Sequence, residues 1–441
     1  MMLLIVLWRG YRMIYNETRY NSHWNTKKLS ELGTFARGKS KHRPRDDERL
    51  YEGGGYPLIQ TGEVKAANLY ITSHEQEYGE FGLAQSKLWD AGTLCITIAA
   101  NIAETAILGY PMCFPDSVVG FSAFPSESSE KFMHYVFTYI RNSIQNSVTG
   151  SIQDNINIDY LSHLDFKVPP KSYQDKVVGV LGTIDEKIDT NTRICTELEA
   201  MAKTLYDYWF TQFDFPNAEG KPYRSSGGEM VWNDQLKREI PKGWDTATIN
   251  EMTKSCRGVS YDKNDLLPSP ENGVLVLRGN NIQNNRLVYD NNVAYVPHSL
   301  VAKEQQISAH DIILTMSSGS KDHIGKCTMF QYDSPHTYGA FLTKFTPDKD
   351  KVGFVYLSMI SDFFKKKVKA ICNGTGINNL TNETFDNLIF PKPTEAVLAR
   401  FEETISPMFE KMGVCERENE ELTKLRDWLL PVLMNGQATV E

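Results

Sequence analysis

The 441-residue sequence has no long apolar run. Its one candidate, Met1 to Trp8, is eight residues closed by Arg9, against the ~20 that a membrane-spanning helix needs. A membrane span is excluded, and with no small-residue cleavage site after it the segment reads as a terminal extension or an upstream start. Cysteine pairs are missing too. The seven cysteines (Cys95, Cys113, Cys195, Cys256, Cys327, Cys372, Cys415) are odd in number and scattered, with no two at Cys-x-x-Cys spacing. That excludes a disulfide framework and a zinc site, and it fits a reducing cytoplasm. The nine histidines form no His-Glu-x-x-His helix or other metal spacing. Positive charge is not in excess: 47 Lys and Arg stand against 55 Asp and Glu, a net of -8. On its face this balance disfavours a nucleic-acid ligand, which needs cations against phosphate. Only a local concentration of basic residues reopens that class.

What is present describes a chain that buries real cores, with 41% hydrophobic and 23% charged residues. At ~150 residues per domain the length predicts two to four folding units. A local basic concentration does exist. Arg37, Lys39, Lys41, Arg43, Arg45 and Arg49, with His42 among them, face only Asp46, Asp47 and Glu48 in a stretch broken by Gly, Ser and Pro, which predicts an exposed loop. A second cluster, Lys365, Lys366, Lys367 and Lys369, follows an apolar run around Val355 to Phe364. It reads as the end of a helix, where cations also suit the helix dipole.

Laid against itself, the chain shows an internal repeat. Trp24, Leu29, Glu31, Leu32, Arg37 and Gly38 fall on Trp244, Ile249, Glu251, Met252, Arg257 and Gly258 at a constant offset of 220. Ile59-Gln-Thr-Gly62 falls on Val276-Leu-Arg-Gly279, and Leu94-Cys-Ile-Thr-Ile98 on Ile312-Ile-Leu-Thr-Met316. Leu161, Leu164, Phe166 and Pro169 fall on Phe385, Leu388, Phe390 and Pro393, all at 224. The chain is two diverged copies of one module.

Each copy ends in a long helical stretch. A seven-residue frame places Val177, Ile184, Asn191, Leu198 and Leu205 in one column and Leu181, Ile188, Cys195, Ala202 and Trp209 in the other. In the second copy the columns are Phe401, Met408, Cys415, Leu422, Leu429 and Ile405, Met412, Asn419, Arg426, Leu433. This 3-4 spacing favours a coiled-coil seam over two amphipathic helices each packed on its own domain. At 1.5 Å per residue each stretch is roughly 50 Å long. If the helices pair antiparallel with centres aligned, facing positions sum to 610, and Asn191 faces Asn419.

Between the copies runs an aromatic segment, Tyr206-Asp-Tyr-Trp-Phe-Thr-Gln-Phe-Asp-Phe-Pro216, then Gly220-Lys-Pro-Tyr223, Ser225-Ser-Gly-Gly228 and Ile240-Pro-Lys-Gly-Trp244. A flexible tether is poor in aromatics, so the segment should be ordered. Tyr206, Trp209, Phe210, Phe213 and Phe215, with Trp232 beyond them, either cover the end of the helix pair or form an interface with another chain, where aromatics are enriched.

With this central segment and the order of module, long helix, module, long helix, the sequence closely resembles the specificity subunit of type I restriction-modification systems. The resemblance covers Trp24 to Asn435, and the central segment is its most specific part. It implies an α/β (α+β) chain of two tandem globular target-recognition domains, each followed by a long helix, the helices pairing as an antiparallel coiled coil. The expected boundaries are an N-terminal extension 1–23, domain 1 at 24–170, spacer helix 1 at 171–213, an ordered linker at 214–243, domain 2 at 244–393, spacer helix 2 at 394–435 and a tail at 436–441. The first 23 residues depart from the family's short lead before its first Trp, which bears on the natural start site. The implied partners are double-stranded DNA, two methyltransferase subunits and restriction (translocase) subunits, in the cytoplasm with no membrane. The chain itself is expected to bind no cofactor; S-adenosylmethionine, ATP and magnesium are expected on the partner subunits.

Chemistry of the chain's own is not signalled. An adenine methyltransferase carries Asn-Pro-Pro or Asp-Pro-Pro, and neither occurs. Gly319 to Gly325 has five intervening residues where a phosphate-binding loop has four, and Cys327 stands where Ser or Thr should follow Lys326. Pro115-Asp116 and Pro347-Asp348 lack the acidic-x-Lys of a nuclease. Recognition remains. Bases are read by side chains in the grooves, whereas Lys and Arg of loops mostly fix position on phosphate. Candidates for the first role are Gln60, Thr61, Arg278, Asn280 and Asn281, because Arg takes guanine and Asn or Gln adenine in a bidentate manner. Candidates for the second are Arg37, Lys39, Lys41, Arg43, Arg257, Lys263, Lys321 and Lys326. Divergence of the copies predicts two unlike half-sites. The competing class is a coiled-coil adaptor that binds proteins, to which the acidic net charge points.

Overall fold

The computed structural model describes residues 14, 16–149, 156–289, 293–319, 323–374 and 379–440. The chain divides into two units, Met1–Asn191 with Glu418–Glu441, and Thr192–Arg417. Each is built on the same plan.

In the first unit a five-stranded sheet runs in the order Gly33–Arg37, Val118–Ala123, Leu94–Thr97, Thr105–Leu108, Tyr70–Ile71. Leu94–Thr97 is apolar on both sides because both of its faces are covered. Side chains alternate along a strand, so Leu94 and Ile96 join Phe132, Val136 and Leu181 of the helices. Cys95 joins Ile59, Trp89 and Phe114 on the other side, beneath a second sheet ordered Gln76–Tyr78, Tyr56–Leu58, Met112–Cys113, Leu88–Trp89. The second unit repeats this. Its sheet runs Thr253–Arg257, Leu342–Pro347, Ile312–Thr315, Cys327–Met329. Ile312 and Leu314 face the helices, with Phe354 and Phe401, and Ile313 faces Leu277 and Tyr338. Its small sheet is ordered Ala294–Pro297, Gly273–Leu277, Thr337–Tyr338. Helix, sheet and sheet form three layers in each unit, an α/β arrangement whose one central strand serves two cores.

The aligned residues do the same work in both copies. Asn25–Lys28 pairs antiparallel with Asp165–Val168, and Asp245–Thr248 with Ile389–Lys392. Each first strand passes into a single helical turn whose third residue caps it. The Glu31 carboxylate accepts the Lys28 N–H at 2.7 Å, and the Glu251 carboxylate accepts the Thr248 N–H at 2.8 Å. Trp24 and Trp244 are buried.

The two long helices are Lys171–Tyr206 and Glu395–Met434. Within the first unit Asp185 meets Arg426 (3.0 Å), Lys187 meets Glu418 (3.1 Å) and Asn191 meets Asn419 (3.0 Å). Within the second, the Cys195 thiol donates to the Met412 carbonyl at 3.7 Å. From 185 to 191 on the first helix the partners fall from 426 to 419 on the second, so the pair is antiparallel. The facing sum of 610 holds at the asparagine pair. Val177, Leu181, Ile184, Ile188, Phe401, Ile405 and Met412 are all buried along the seam.

Three expectations change. Residues 16–23 are not an appendage, because the Asn16 amide donates to the Lys167 carbonyl (2.7 Å) and accepts the Lys167 N–H (2.8 Å), which satisfies an otherwise open strand edge. The last residues dock likewise: the Tyr173 hydroxyl donates to the Ala438 carbonyl at 2.7 Å. The lysine cluster spans the fourth to eighth of the thirteen residues of a new helix, Asp362–Gly374, so its cations do not sit at the end that the dipole favours. The third change concerns the aromatic segment. Tyr206, Trp209, Phe210, Phe213 and Phe215 are buried in the core of the second unit. Phe210 packs edge-on against Phe401 at 4.6 Å, Phe215 stacks on Trp244 at 5.1 Å, and the Tyr206 hydroxyl meets Ser358 Oγ at 3.0 Å. These five cover the end of the helix and therefore offer no surface to another chain. Trp232, on the hairpin Met230–Asn233 with Arg238–Pro241, is 62% exposed.

Candidate functional site

The first basic loop begins where strand Gly33–Arg37 ends. A Cβ on Gly38 would stand 2.3 Å from the Phe114 and Pro115 carbonyl oxygens, so only glycine lets the backbone pass there. The second copy has the same solution: a Cβ on Gly258 would stand 2.3 Å from the Tyr338 and Gly339 oxygens. In both units the preceding arginine, Arg37 or Arg257, is left at the surface. The candidate reading turns approach the same segments from the other side. Ile59, just before Gln60, donates its N–H to the Cys113 carbonyl at 3.0 Å. Gly339 donates its N–H to the Leu277 carbonyl, just before Arg278, at 2.9 Å. The structure thus brings the Arg-Gly corner and the reading turn together on the flanks of one short segment, 113–116 in the first unit and 337–340 in the second.

Within the first loop the cations divide. Arg45 pairs with Asp116 at 2.5 Å, and Arg43 lies 3.6 Å from the same carboxylate. Arg49 and His42 both hold Asp47, at 2.7 Å each, and their hydrogen bonds, Arg49's first, keep its carboxyl well below the usual range. The loop is laced to its neighbour by the Lys41 N–H on the Gln85 carbonyl (3.2 Å) and the Ser86 hydroxyl on the Lys39 carbonyl (3.0 Å). Arg37, Lys39 and Lys41 are exposed and have no carboxylate within 4.0 Å among the described residues. Arg43 is a candidate already engaged. Asp116, met in the sequence only as a nuclease motif that fails, is what holds the loop's shape. In composition it is indistinguishable from any surface aspartate.

The reading turns are helix starts. The Gln60 N–H is taken by the Glu63 carboxylate at 3.1 Å, and Thr61 opens the helix Thr61–Ala66. The Arg278 N–H is taken by Asn281 Oδ1 at 2.9 Å, and Asn281 Nδ2 donates to the Val288 carbonyl at 3.0 Å. Asn281 is buried with both ends of its amide used, so it shapes the turn and cannot reach a base. Asn280 is exposed. The Arg278 guanidinium is steadied by the Tyr261 hydroxyl at 3.0 Å, a partner three residues past Gly258 that sequence reasoning missed. Arg257 Nε donates to the Ala340 carbonyl at 2.9 Å, and the residue is exposed. Lys263 is exposed at the start of the turn Lys263–Asp265.

Lys326 lies on the hairpin side of the Arg278 turn: with Asn284, Asn285, Lys365 and Lys369 it lines a cavity of about 370 Å³, and its ammonium lies 3.4 Å from His323 Nδ1. Lys321 lies outside the described residues. Among the described residues no group of three or more His, Cys, Asp or Glu is placed to hold a metal ion, and no helix is long and apolar enough to cross a membrane. What each site offers is a fixed rim of cations beside a turn carrying amide, hydroxyl or guanidinium donors, which suits a polyanion with readable edges.

The chain is similar to known proteins along most of its length. The profile of the family described as "Type I restriction modification DNA specificity domain" matches residues 21–200 and 241–401. The specificity subunit of the type I restriction enzyme MjaIX of Methanocaldococcus jannaschii is 24% identical over 431 residues, 95% of this chain and 94% of that one. The EcoKI specificity subunit of Escherichia coli is 29% identical over 208 residues, 46% of this chain and 44% of its own. The crystal structure of a type I restriction-modification S subunit from M. genitalium superposes with a TM-score of 0.52 at 15% identity, covering 96% of this chain and 99% of that one.

Proposed function

The chain belongs to the family of type I restriction-modification DNA specificity subunits, and from that premise we propose that it is the non-catalytic subunit that reads double-stranded DNA for its complex through two unlike half-sites. The observation that carries this reading is the repeated corner: Arg37-Gly38 beside Gln60-Thr61, and Arg257-Gly258 beside Arg278. Arg37, Lys39, Lys41, Arg257 and Lys263 contact phosphate and set register, while Gln60, Thr61, Arg278 and Asn280 face base edges. Lys326 is a phosphate contact of the second unit outside this corner, and Lys321 is a candidate for the same role. Charge on the rest of the surface is negative, so the affinity rests on these local cations and falls steeply with salt.

The chain docks two methyltransferase subunits and, in the full enzyme, restriction subunits, which carry S-adenosylmethionine, ATP and magnesium. Of Tyr206, Trp209, Phe210, Phe213, Phe215 and Trp232, Trp232 is the one with the exposure to take part in that docking. The deciding experiment maps methylated adenines in host DNA with this gene present and absent, then with residues 24–170 replaced by those of a relative. One half of a bipartite target should change while the other half stays. A change in both halves would overturn the division of labour. Absence of salt-dependent duplex binding, with and without the methyltransferase subunit, would favour the adaptor class.

A further inference from the structure

Each unit contains a polar anchor that the repeat alone does not explain. In the first, the hydroxyl of Tyr135, on helix Glu130–Thr149, donates to Asp185 Oδ2 at 2.6 Å. Asn68 Nδ2 donates to Asp185 Oδ1 at 3.5 Å, and Arg426 bridges the two, donating to Asp185 Oδ1 at 3.0 Å and to Asn68 Oδ1 at 2.9 Å. Asp185 is buried on the first long helix, at 2% side-chain exposure. In the second unit the hydroxyl of Tyr356, on helix Val352–Ile360, donates to Glu199 Oε1 at 2.7 Å. Asn285 Nδ2 donates to the same oxygen at 3.1 Å.

The correspondence is close where it matters for the reading turns. Tyr135 and Tyr356 are equivalent within the repeat, 221 positions apart. Asn68 follows the Gln60-Thr61 turn at the far end of its short helix, and Asn285 follows the Arg278 turn by seven residues. Asn285 sits in a two-residue hairpin with Asn284, both at positive φ (60° and 49°). That conformation disfavours most side chains and presents Asn285 and Arg286 to the helix, where Arg286 also donates to Thr196 Oγ1 at 3.2 Å. The carboxylates, by contrast, do not follow the repeat. Both come from the first long helix, at the same heptad position two heptads apart, since 199 minus 185 is 14. The repeat equivalents on the second helix, 224 residues on, are Phe409 and Thr423.

We propose that Asp185 and Glu199 are positioning residues for base discrimination, each clamping one reading turn to the first long helix through its Asn and Tyr partners. The proposal rests on the reading that the Gln60-Thr61 and Arg278 turns face bases. A turn held at both ends presents its side chains in one pose, and a wrong base then meets a misplaced donor that cannot adapt. Released at the Asn end, the turn accommodates the wrong base, so what is lost is discrimination in that half.

The test uses the chain assembled with its methyltransferase subunits and a library of duplexes randomised in both half-sites. Tyr135→Phe and Asp185→Asn should lower discrimination against wrong bases in the first half about tenfold, the equivalent of one hydrogen bond to a charged group, and leave the second half as it was. Tyr356→Phe and Glu199→Gln should do the reverse. A purely structural role would lower methylation of every sequence in proportion to the folded fraction. If either Tyr→Phe chain keeps the parental discrimination in its own half, the proposal is overturned, whatever the carboxylate variants do. If the parental complex itself shows no preference in either half, the underlying reading of the turns has failed instead.

Discussion

Replacing the asparagine pair in the helix seam is the sharpest test of how the helices are registered. Asn191 is 1% exposed and gives one N–H to Glu418 Oε2 at 2.7 Å and one to Asn419 Oδ1 at 3.0 Å. Asn419 returns its own Nδ2 to the Ile188 carbonyl at 3.3 Å. Changing Asn191 alone to Leu removes one neutral and one charge-assisted hydrogen bond, about 2–4 kcal/mol together. The new apolar side chain recovers about 1.5–3 kcal/mol by burial, so the single variant should be destabilised by about 1 kcal/mol. Asn419→Leu should cost less, because Asn191 keeps Glu418. With both changed, no amide is stranded, Glu418 turns to Lys187 and solvent, and the chain should gain about 1–2 kcal/mol. The first unit has 191 plus 24, or 215, residues, for which each kcal/mol moves the melting temperature by about 2–4 °C. Calorimetry of the parent, both single variants and the double variant closes the cycle. Register is read separately from the distance between spin labels on Lys187→Cys and Glu418→Cys, whose native side chains meet at 3.1 Å. The distance distribution should be single and narrow in the Asn background and broad or split in the Leu background. Purely additive effects of the two Leu changes would refute the reasoning.

Three further outcomes are expected. Burial pushes the Glu402 carboxyl up to about 7 from 4.5, against the pull of the Gly353 and Phe354 N–H groups at 3.0 and 2.7 Å. A raised carboxyl favours the folded chain while protonated, so its contribution is complete below pH 4.5 and is lost as pH rises through 7. Denaturant titrations should show the second unit losing on the order of 1–3 kcal/mol over that window, and Glu402→Gln should flatten the curve; an unchanged slope would count against it. Arg37→Ala with Arg257→Ala should weaken binding to all duplexes alike and reduce the salt slope by roughly one phosphate each, whereas altered base preference would make these residues readers. Removing one heptad from each long helix shortens it by about 10 Å, roughly three base pairs. The gap in the methylated target should shrink by up to that amount or methylation should fail, and an unchanged gap would show that the helices do not set it.

The sequence was most legible where a pattern is local and periodic. The central strands could be aligned because Leu94–Thr97 and Ile312–Thr315 each bury both faces, and the heptad columns gave the Asn191–Asn419 register because seam positions are spaced by helix geometry alone. Gly38 and Gly258 also stood out, since a forbidden Cβ leaves its mark on the sequence. The aromatic segment was ambiguous in principle. Tyr206 to Phe215 have the composition of an interface and of a core alike, and only packing against Phe401 and Trp244 decides. Asn281 looked like a reader because the amide that matches adenine also matches an open backbone N–H. Asp185, Glu199 and their Tyr and Asn partners were invisible, because they are separated by 50 to 157 residues and no period connects them.

The first unit is closed by the last 24 residues of the chain, Glu418–Glu441. Leu430, Leu433 and Met434 fill the same core as Val177 and Leu181, and Thr18 donates to the Asn435 carbonyl at 2.9 Å. On a ribosome, then, the half translated first is the half finished last. All of Thr192–Arg417 emerges, with every segment it needs, while the apolar stripe of the nascent first half still waits for its cover. A stop codon near position 418 would therefore damage the distant amino-terminal domain and spare the one beside it, and a stalled or slowly made chain would expose that stripe to chaperones and proteases for as long as the ribosome takes to supply its final segment.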